Sequence, residues 1–296
     1  MTGCLLCPRE CGADRRAGPG FCGAAEAMTV SRAGLHMWEE PCISGTNGSG
    51  AVFFSGCGLR CVFCQNYQIS SHMRGREVSP RQLTDIFRRL EDMGAHNINL
   101  VTPTHYTEPL LRALELYRPS VPVIWNSSGY EKVQTLRRLE GFVDIYLPDI
   151  KYYDDAYAVR YSAAEGYFKY ASAAAAEMVR QTGAPVFKDG LLVRGTLIRH
   201  LVLPSAAGQA VKILSWVRRE LPDAAVSLMA QYFPSGQARR FPELNRRLHR
   251  REYDLALRHM LALDFEYGYY QRLGSASEAF VPDFEPAGRG NIIYDT

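Results

Sequence analysis

The chain has no cysteine after residue 64, no long apolar run and no strong excess of charge. No stretch reaches the ~18 apolar residues that a membrane span requires, so none is expected. A formal net charge of +3 over 296 residues argues against a dedicated nucleic-acid surface. The opening Met1-Thr2-Gly3-Cys4 lacks a basic-then-apolar leader, which places the expected compartment in the cytoplasm. In that setting eight cysteines bind metal or do chemistry rather than form disulfides. Because all eight precede residue 65, the metal chemistry belongs to the first fifth of the chain.

Three of them fall within eight residues: Cys57, Cys61 and Cys64, in Phe54-Ser55-Gly56-Cys57-Gly58-Leu59-Arg60-Cys61-Val62-Phe63-Cys64-Gln65-Asn66. They follow Ala51-Val52-Phe53-Phe54, which reads as a buried strand. Three thiolates on one loop are one ligand short of the Cys₄ set that usually holds an iron–sulfur cluster. A site one ligand short leaves a metal position open to a bound molecule, as in catalytic zinc sites. Half of a zinc site, or thiols that only pack, are the competing readings. Zinc pairs favour two-residue spacing, whereas three-then-two spacing with Gly56 and Gly58 beside the first cysteine suits a loop wrapped round a larger object.

Cys57-x-x-x-Cys61-x-x-Cys64, with Phe63 before the last cysteine, resembles the radical S-adenosylmethionine (SAM) superfamily. Gln65-Asn66 and the upstream Glu39-Glu40-Pro41 resemble the branch of glycyl-radical activases and their pyruvate formate-lyase-activating-enzyme-like iron–sulfur relatives. The similarity runs from the first cysteines to about Pro282. It implies a 4Fe–4S cluster on Cys57, Cys61 and Cys64, SAM at the open iron, and an electron donor such as flavodoxin or ferredoxin.

Residues 1–50 are rich in Cys and Gly with little periodicity, and read as a cysteine-rich, metal-pinned cap. From 51 to 263 strand and helix signals alternate, with strands at 51–55, 97–101, 121–125, 142–147, within 192–203 and at 224–230. Ser79-Pro80-Arg81-Gln82 supplies an N-cap, an N1 proline and a capping-box glutamine. Leu83, Ile86, Phe87 and Leu90 then form one helical stripe that ends at Gly94. Helices are also expected around Leu110–Leu114 and over 131–140, 170–181, 209–220 and 244–263. Residues 264–296 read as an aromatic tail. Six strand–helix units in series argue for an α/β fold with parallel strands and right-handed crossovers. An open doubly wound sheet is one arrangement; the resemblance implies the other, a partial (βα)6 barrel.

Ligands gather at the carboxyl ends of parallel strands, so the segments after each strand are candidates. The resemblance assigns SAM-holding roles to Asp149 and Lys151 in Asp149-Ile150-Lys151, and to Arg199 near the SAM carboxylate. An arginine inside an apolar strand needs a buried anion in any case. His200 should face away from Arg199 in a regular strand. Asn126, Ser127 and Ser128 offer ribose or amine contacts, or a simple turn with Gly129. Phe63 and Asn66 offer adenine contact or loop capping. The superfamily's Gly-Gly-Glu phrase after its second strand is replaced here by Thr102-Pro103-Thr104-His105-Tyr106-Thr107-Glu108. Thr102 and Thr104 are the substitute acceptors, with Glu108 as the acid if the loop folds back.

Cys4, Cys7, Cys11 and Cys22 form a second set of four, enough for a closed structural zinc or an auxiliary 4Fe–4S cluster. Cys42 reads as a packed thiol. The expected function is reductive cleavage of SAM to a 5′-deoxyadenosyl radical that abstracts hydrogen from a protein or peptide. A small metabolite as substrate is an alternative, and so is a non-catalytic zinc protein.

Overall fold

A computed structural model describes residues 3–277, 280–285, 288 and 290–293. Among the described residues ten strands make one continuous sheet: β1 Met28–His36, β2 Ser49–Phe54, β3 Arg76–Val78, β4 Ile98–Val101, β5 Val123–Ser127, β6 Ile145–Pro148, β7 Val186–Lys188, β8 Leu191–Leu201, β9 Ala225–Met229 and β10 Gly268–Tyr270. Their order is β10-β9-β8-β6-β5-β4-β2-β1-β3, with β7 paired to β8. From β2 through β4, β5, β6 and β8 to β9 every neighbour is parallel and follows in chain order. The chain is an α/β protein with a mostly parallel sheet, and all six expected strands are present.

Two faces of these strands do different work. Trp125, Tyr146, Ile198 and Val226 join apolar clusters that reach Leu83, Phe87, Leu110, Ile213 and Val217 on the helices. Ile124, Ile145, Leu147, Leu197 and Ala225 pack on the other face with Cys42 and Ile43. The short helix Pro41–Ser44 therefore plugs the sheet face that carries no long helix. Cys42 is a packed thiol there, and burial pushes it up to about 11.

The helix at Pro80–Asp92 begins with the expected capping box: Ser79 Oγ accepts from Gln82 N, and Gln82 Oε1 accepts from Ser79 N. Several expectations need correction. Residues 28–36, read as part of an aperiodic cap, are a strand antiparallel to β2. Its alternation is weak because both faces are partly covered. The last helix spans Arg250–Ala262, not 244–263, because His249 and Glu252 form a capping box that fixes the start. The helix read over 131–140 is only Val133–Arg137. The tail contributes β10, parallel to β9; its positions 278–279, 286–287, 289 and 294–296 lie outside the described residues. The hairpin of β7 and β8 was also unforeseen, although Asp189-Gly190, both at positive φ, is a strong two-residue turn signal.

Candidate active site

The carboxyl ends of all six parallel strands meet at one cavity of about 240 Å³. Cys57, Cys61 and Cys64 enter it after β2, Thr102 after β4, Asn126, Ser127 and Ser128 at the end of β5, Asp149 and Lys151 after β6, Arg199 and Leu201 from β8, and Gln231 after β9. Phe63 and Asn66 also line it.

The cysteine loop is held by backbone hydrogen bonds on every side. Cys57 N donates to Cys22 O (3.1 Å), Arg60 N to Ser162 O (3.2 Å), Val62 N to Tyr161 O (2.8 Å) and Gln237 N to Val62 O (2.7 Å). The sulfurs receive donors as well: Leu59 N to Cys57 Sγ (3.4 Å) and Ser162 Oγ to Cys61 Sγ (3.0 Å), while Cys64 Sγ lies 3.3 Å from Ser70 Oγ. Burial pushes the Cys57 thiol to about 12 and the Cys61 thiol to about 11. Iron binding must displace these protons.

Among the described residues no three His, Cys, Asp or Glu side chains converge closely enough for a single metal ion. Three free thiols on one loop, with hydrogen bonds to sulfur and a cavity beyond them, fit a 4Fe–4S body that takes three protein sulfurs and keeps one corner open.

In the same cavity lies a largely buried charge network. Arg199 Nε donates to Asp149 Oδ1 (3.0 Å), Nη1 to Glu39 Oε2 (2.8 Å) and Nη2 to Asn126 Oδ1 (2.7 Å). Lys151 Nζ donates to the other Asp149 oxygen at 2.5 Å. Asn99 and Asn126 donate to Glu39 Oε1. Burial alone would raise Asp149, but Lys151 and Arg199 hold it below the usual carboxylate range. Burial likewise opposes the Lys151 charge, and Asp149 more than restores it. Glu40 is different: burial raises it, and its Oε2, 3.9 Å from Arg199, has no hydrogen-bond partner.

Glu39 is the residue that strand-end reasoning missed. It reaches the site from the segment after β1, and the only signal for it was the Glu39-Glu40-Pro41 phrase. Two expected acceptors stand elsewhere. Thr104 Oγ1 donates to the buried Glu131 and is not among the lining residues, because Pro103–Tyr106 turns into a short helix toward the helical layer. Glu108 pairs with Arg138 (2.7 Å) at the surface. Thr102 does line the cavity, at a φ of +58°, a strained conformation of the kind that clusters at functional sites. His200 turns away from the cavity, and its Nδ1 donates to Ile150 O at 2.6 Å. Tyr267 packs on Phe187, whereas Phe280 lines the cavity and packs at a tilt against Trp38, ring centroids 4.7 Å apart.

The four N-terminal cysteines lie outside the cavity. A Cβ at Gly20 would stand 3.3 Å from Cys11 Sγ and 3.8 Å from Cys22 Sγ, and one at Gly58 would stand 3.7 Å from Cys7 Sγ.

A parallel sheet whose strand ends gather three thiols and an arginine-centred acid pair defines an α/β protein with a cofactor cavity. Residues 51–199 match the model of the radical SAM superfamily. An uncharacterized protein of Methanocaldococcus jannaschii, MJ0674, is 30% identical over 266 residues, covering 86% of this chain and 73% of its own. The crystal structure of Streptococcus suis SuiB is similar at a TM-score of 0.53 and 12% identity over 75% of this chain. SuiB bound to S-adenosylmethionine is similar at 0.53 and 13%. This chain spans about half the length of both, 49% and 52%. The chain belongs to the radical SAM superfamily. Membership implies a 4Fe–4S cluster, SAM, and cleavage of SAM at that cluster.

Proposed function

We propose that Cys57, Cys61 and Cys64 hold the cluster and that the chain abstracts hydrogen from a protein or peptide in an activase-like reaction. The convergence of that cysteine loop with Arg199, Asp149, Lys151 and Glu39 around one cavity carries the reading. When bound, the cluster supplies the electron that breaks the sulfonium and leaves a 5′-deoxyadenosyl radical.

The chain's own residues orient and exclude. Lys151, charged and half of a buried pair, offers its remaining N–H donors to the SAM carboxylate. The carboxylates of Asp149 and Glu39 are acceptors suited to the SAM amine, and Lys151 and Arg199 hold Asp149 ionised. The hydroxyls of Ser127, Ser128 and Thr102 suit the ribose. Phe63 and Leu201 suit the adenine face. Phe280, Val281 and Pro282 add apolar lining to the cavity and limit water and stray hydrogen donors.

The mouth favours a macromolecular substrate. Trp38, which lines the cavity, is 57% exposed, a surface on which an extended peptide can lie while one residue reaches the cavity. The sheet, curled round the Pro41–Ser44 plug, fits a partial barrel. Residues 3–27 then sit on the cysteine loop as part of a cap, with the four thiols Cys4, Cys7, Cys11 and Cys22 as a metal site. A flavodoxin or ferredoxin would serve as electron donor. All eight cysteines are free thiols, which suits the reducing cytoplasm.

The test is anaerobic reconstitution, reduction and SAM addition in the presence of a library of deuterated peptides. Deuterium in 5′-deoxyadenosine supports the peptide reading. 5′-Deoxyadenosine that carries deuterium only when deuterated metabolites are supplied rejects it while leaving SAM cleavage intact.

A further inference from the structure

Ser162 joins a helix end to the cysteine loop. It is the last residue of the helix Asp155–Ser162 and is fully buried. The last carbonyls of a helix have no partner within it, and here the loop supplies the donors. Ser162 O accepts from Arg60 N and from Arg9 Nη2, both at 3.2 Å. Tyr161 O accepts from Val62 N at 2.8 Å. Arg60 and Val62 are the two neighbours of Cys61, so the helix end grips the backbone on either side of that sulfur's residue. Ala163 then leaves the helix at a φ of +48°. This clasp fixes where the Ser162 hydroxyl stands.

Ser162 Oγ donates to Cys61 Sγ at 3.0 Å, and Tyr152 Oη lies 2.7 Å from the same oxygen. A hydroxyl carries a single proton. With that proton on the sulfur, Ser162 must accept from Tyr152. The relay therefore runs from Tyr152 O–H to Ser162 O–H to Cys61 Sγ, and each bond polarises the next. Tyr152 is buried too. Its ring meets Tyr167 edge-on at 5.4 Å, and Tyr167 is itself bonded to Ser128 O and Asp149 O. Cys57 Sγ has only the longer contact from Leu59 N (3.4 Å), and Cys64 Sγ has Ser70 Oγ at 3.3 Å. Among the described residues, Cys61 alone has a relay of two buried hydroxyls behind it.

We propose that Ser162 and Tyr152 are a positioning pair that raises the reduction potential of the cluster held by Cys57, Cys61 and Cys64. This rests on the radical SAM reading. An iron-bound Cys61 is a thiolate and can only accept, which fixes the direction of the relay. One electron from a reductant such as dithionite takes the cluster from the 2+ to the 1+ state. The reductant ends oxidised by one electron, and no bond forms or breaks. The site becomes one charge more negative, so a donor aimed at its sulfur favours the reduced form. Because Ser162 is fully buried, solvent does not stand in for that donor. Neither residue touches SAM in this account; both act through Cys61.

The experiment is a potentiometric titration of the full chain, reconstituted without oxygen and reduced with dithionite. It follows the paramagnetic signal that added SAM perturbs. In Ser162→Ala the ratio of reduced to oxidised cluster at a fixed potential should fall about tenfold, a shift of ~59 mV to more negative potential for one electron. Tyr152→Phe should shift it in the same direction by less. Ser162→Thr keeps a hydroxyl and should restore the wild-type potential. Adding Tyr152→Phe to Ser162→Ala should change nothing further, because the phenol acts only through Ser162. An unshifted potential in Ser162→Ala overturns the proposal, and so does a Tyr152→Phe shift that persists in the Ser162→Ala background. Should Ser162→Ala fail to retain iron, Tyr152→Phe alone decides, and an unshifted potential there overturns the proposal. Wild type that takes up no cluster, or forms no 5′-deoxyadenosine under dithionite, rejects the radical SAM reading and the proposal with it.

Discussion

Arg199 spends all three of its nitrogens on protein acceptors, so its work is to hold Glu39, Asp149 and Asn126 in place. Removing it strands two buried carboxylates. Arg199→Leu should cost ~3–5 kcal/mol, read as a lower thermal midpoint, together with weaker SAM binding in equilibrium dialysis. Arg199→Lys keeps the charge but not the fork and should recover only part of both. A second residue sets a pH window. His200 is buried and neutral, and burial lowers it to about 4, against ~6.5 in the unfolded chain. The unfolded state therefore takes up the proton first as pH falls, and stability is lost between 6.5 and 4. Going from pH 7.5 to 5.5 should cost about 1–1.5 kcal/mol through this residue. Denaturant titrations at the two pH values should show that term shrinking in His200→Gln, and an unchanged pH slope would contradict the assignment. At this scale the sequence was informative where chemistry forces a residue type. An arginine in an apolar strand announced its anions, whereas Glu39 could not be placed because its partner lies 160 positions away.

Among the elements, the cysteine loop depends on Gly236 in the segment that follows β9. Gly236 has a φ of +56°, and a Cβ there would stand 3.2 Å from Val62 O and 3.4 Å from Cys64 O. Gly236→Ala should cost about 1 kcal/mol or more through backbone strain. It should also speed iron loss to a chelator, because Gln237 N and Ser235 Oγ hold the same loop. In contrast, Ser79→Ala should lower stability by ~1 kcal/mol and leave the chelation rate as it was, since that capping box lies on the outer helix. Element type was legible wherever an apolar face repeats with a clear period, as at Leu83, Ile86, Phe87 and Leu90. It was not legible where a cap decides the boundary, as at His249, or where both faces of a strand are partly covered, as in Met28–His36. Thr104 was misplaced for a similar reason. Its neighbours read as a loop over the strand ends, but Pro103 starts a helical turn that carries it to Glu131.

The whole molecule concentrates its redox chemistry at one end of one sheet. Six parallel strands in chain order bring six loops to the same cavity, where residues spread from 36 to 282 share a site. The strand order and the shared end could be anticipated from six successive strand–helix signals. The joining of β1 and β10 to the sheet depends on long-range pairing and could not. No helix of the described residues is long and apolar enough to cross a membrane. The central claim is that three thiols present an open iron at which SAM is cleaved. The most direct test is 5′-deoxyadenosine production by the full chain under dithionite, comparing wild type with Cys57/Cys61/Cys64→Ala at matched folding by circular dichroism. The account predicts product from wild type and none above background from the variant; product formation that survives loss of all three sulfurs would contradict it.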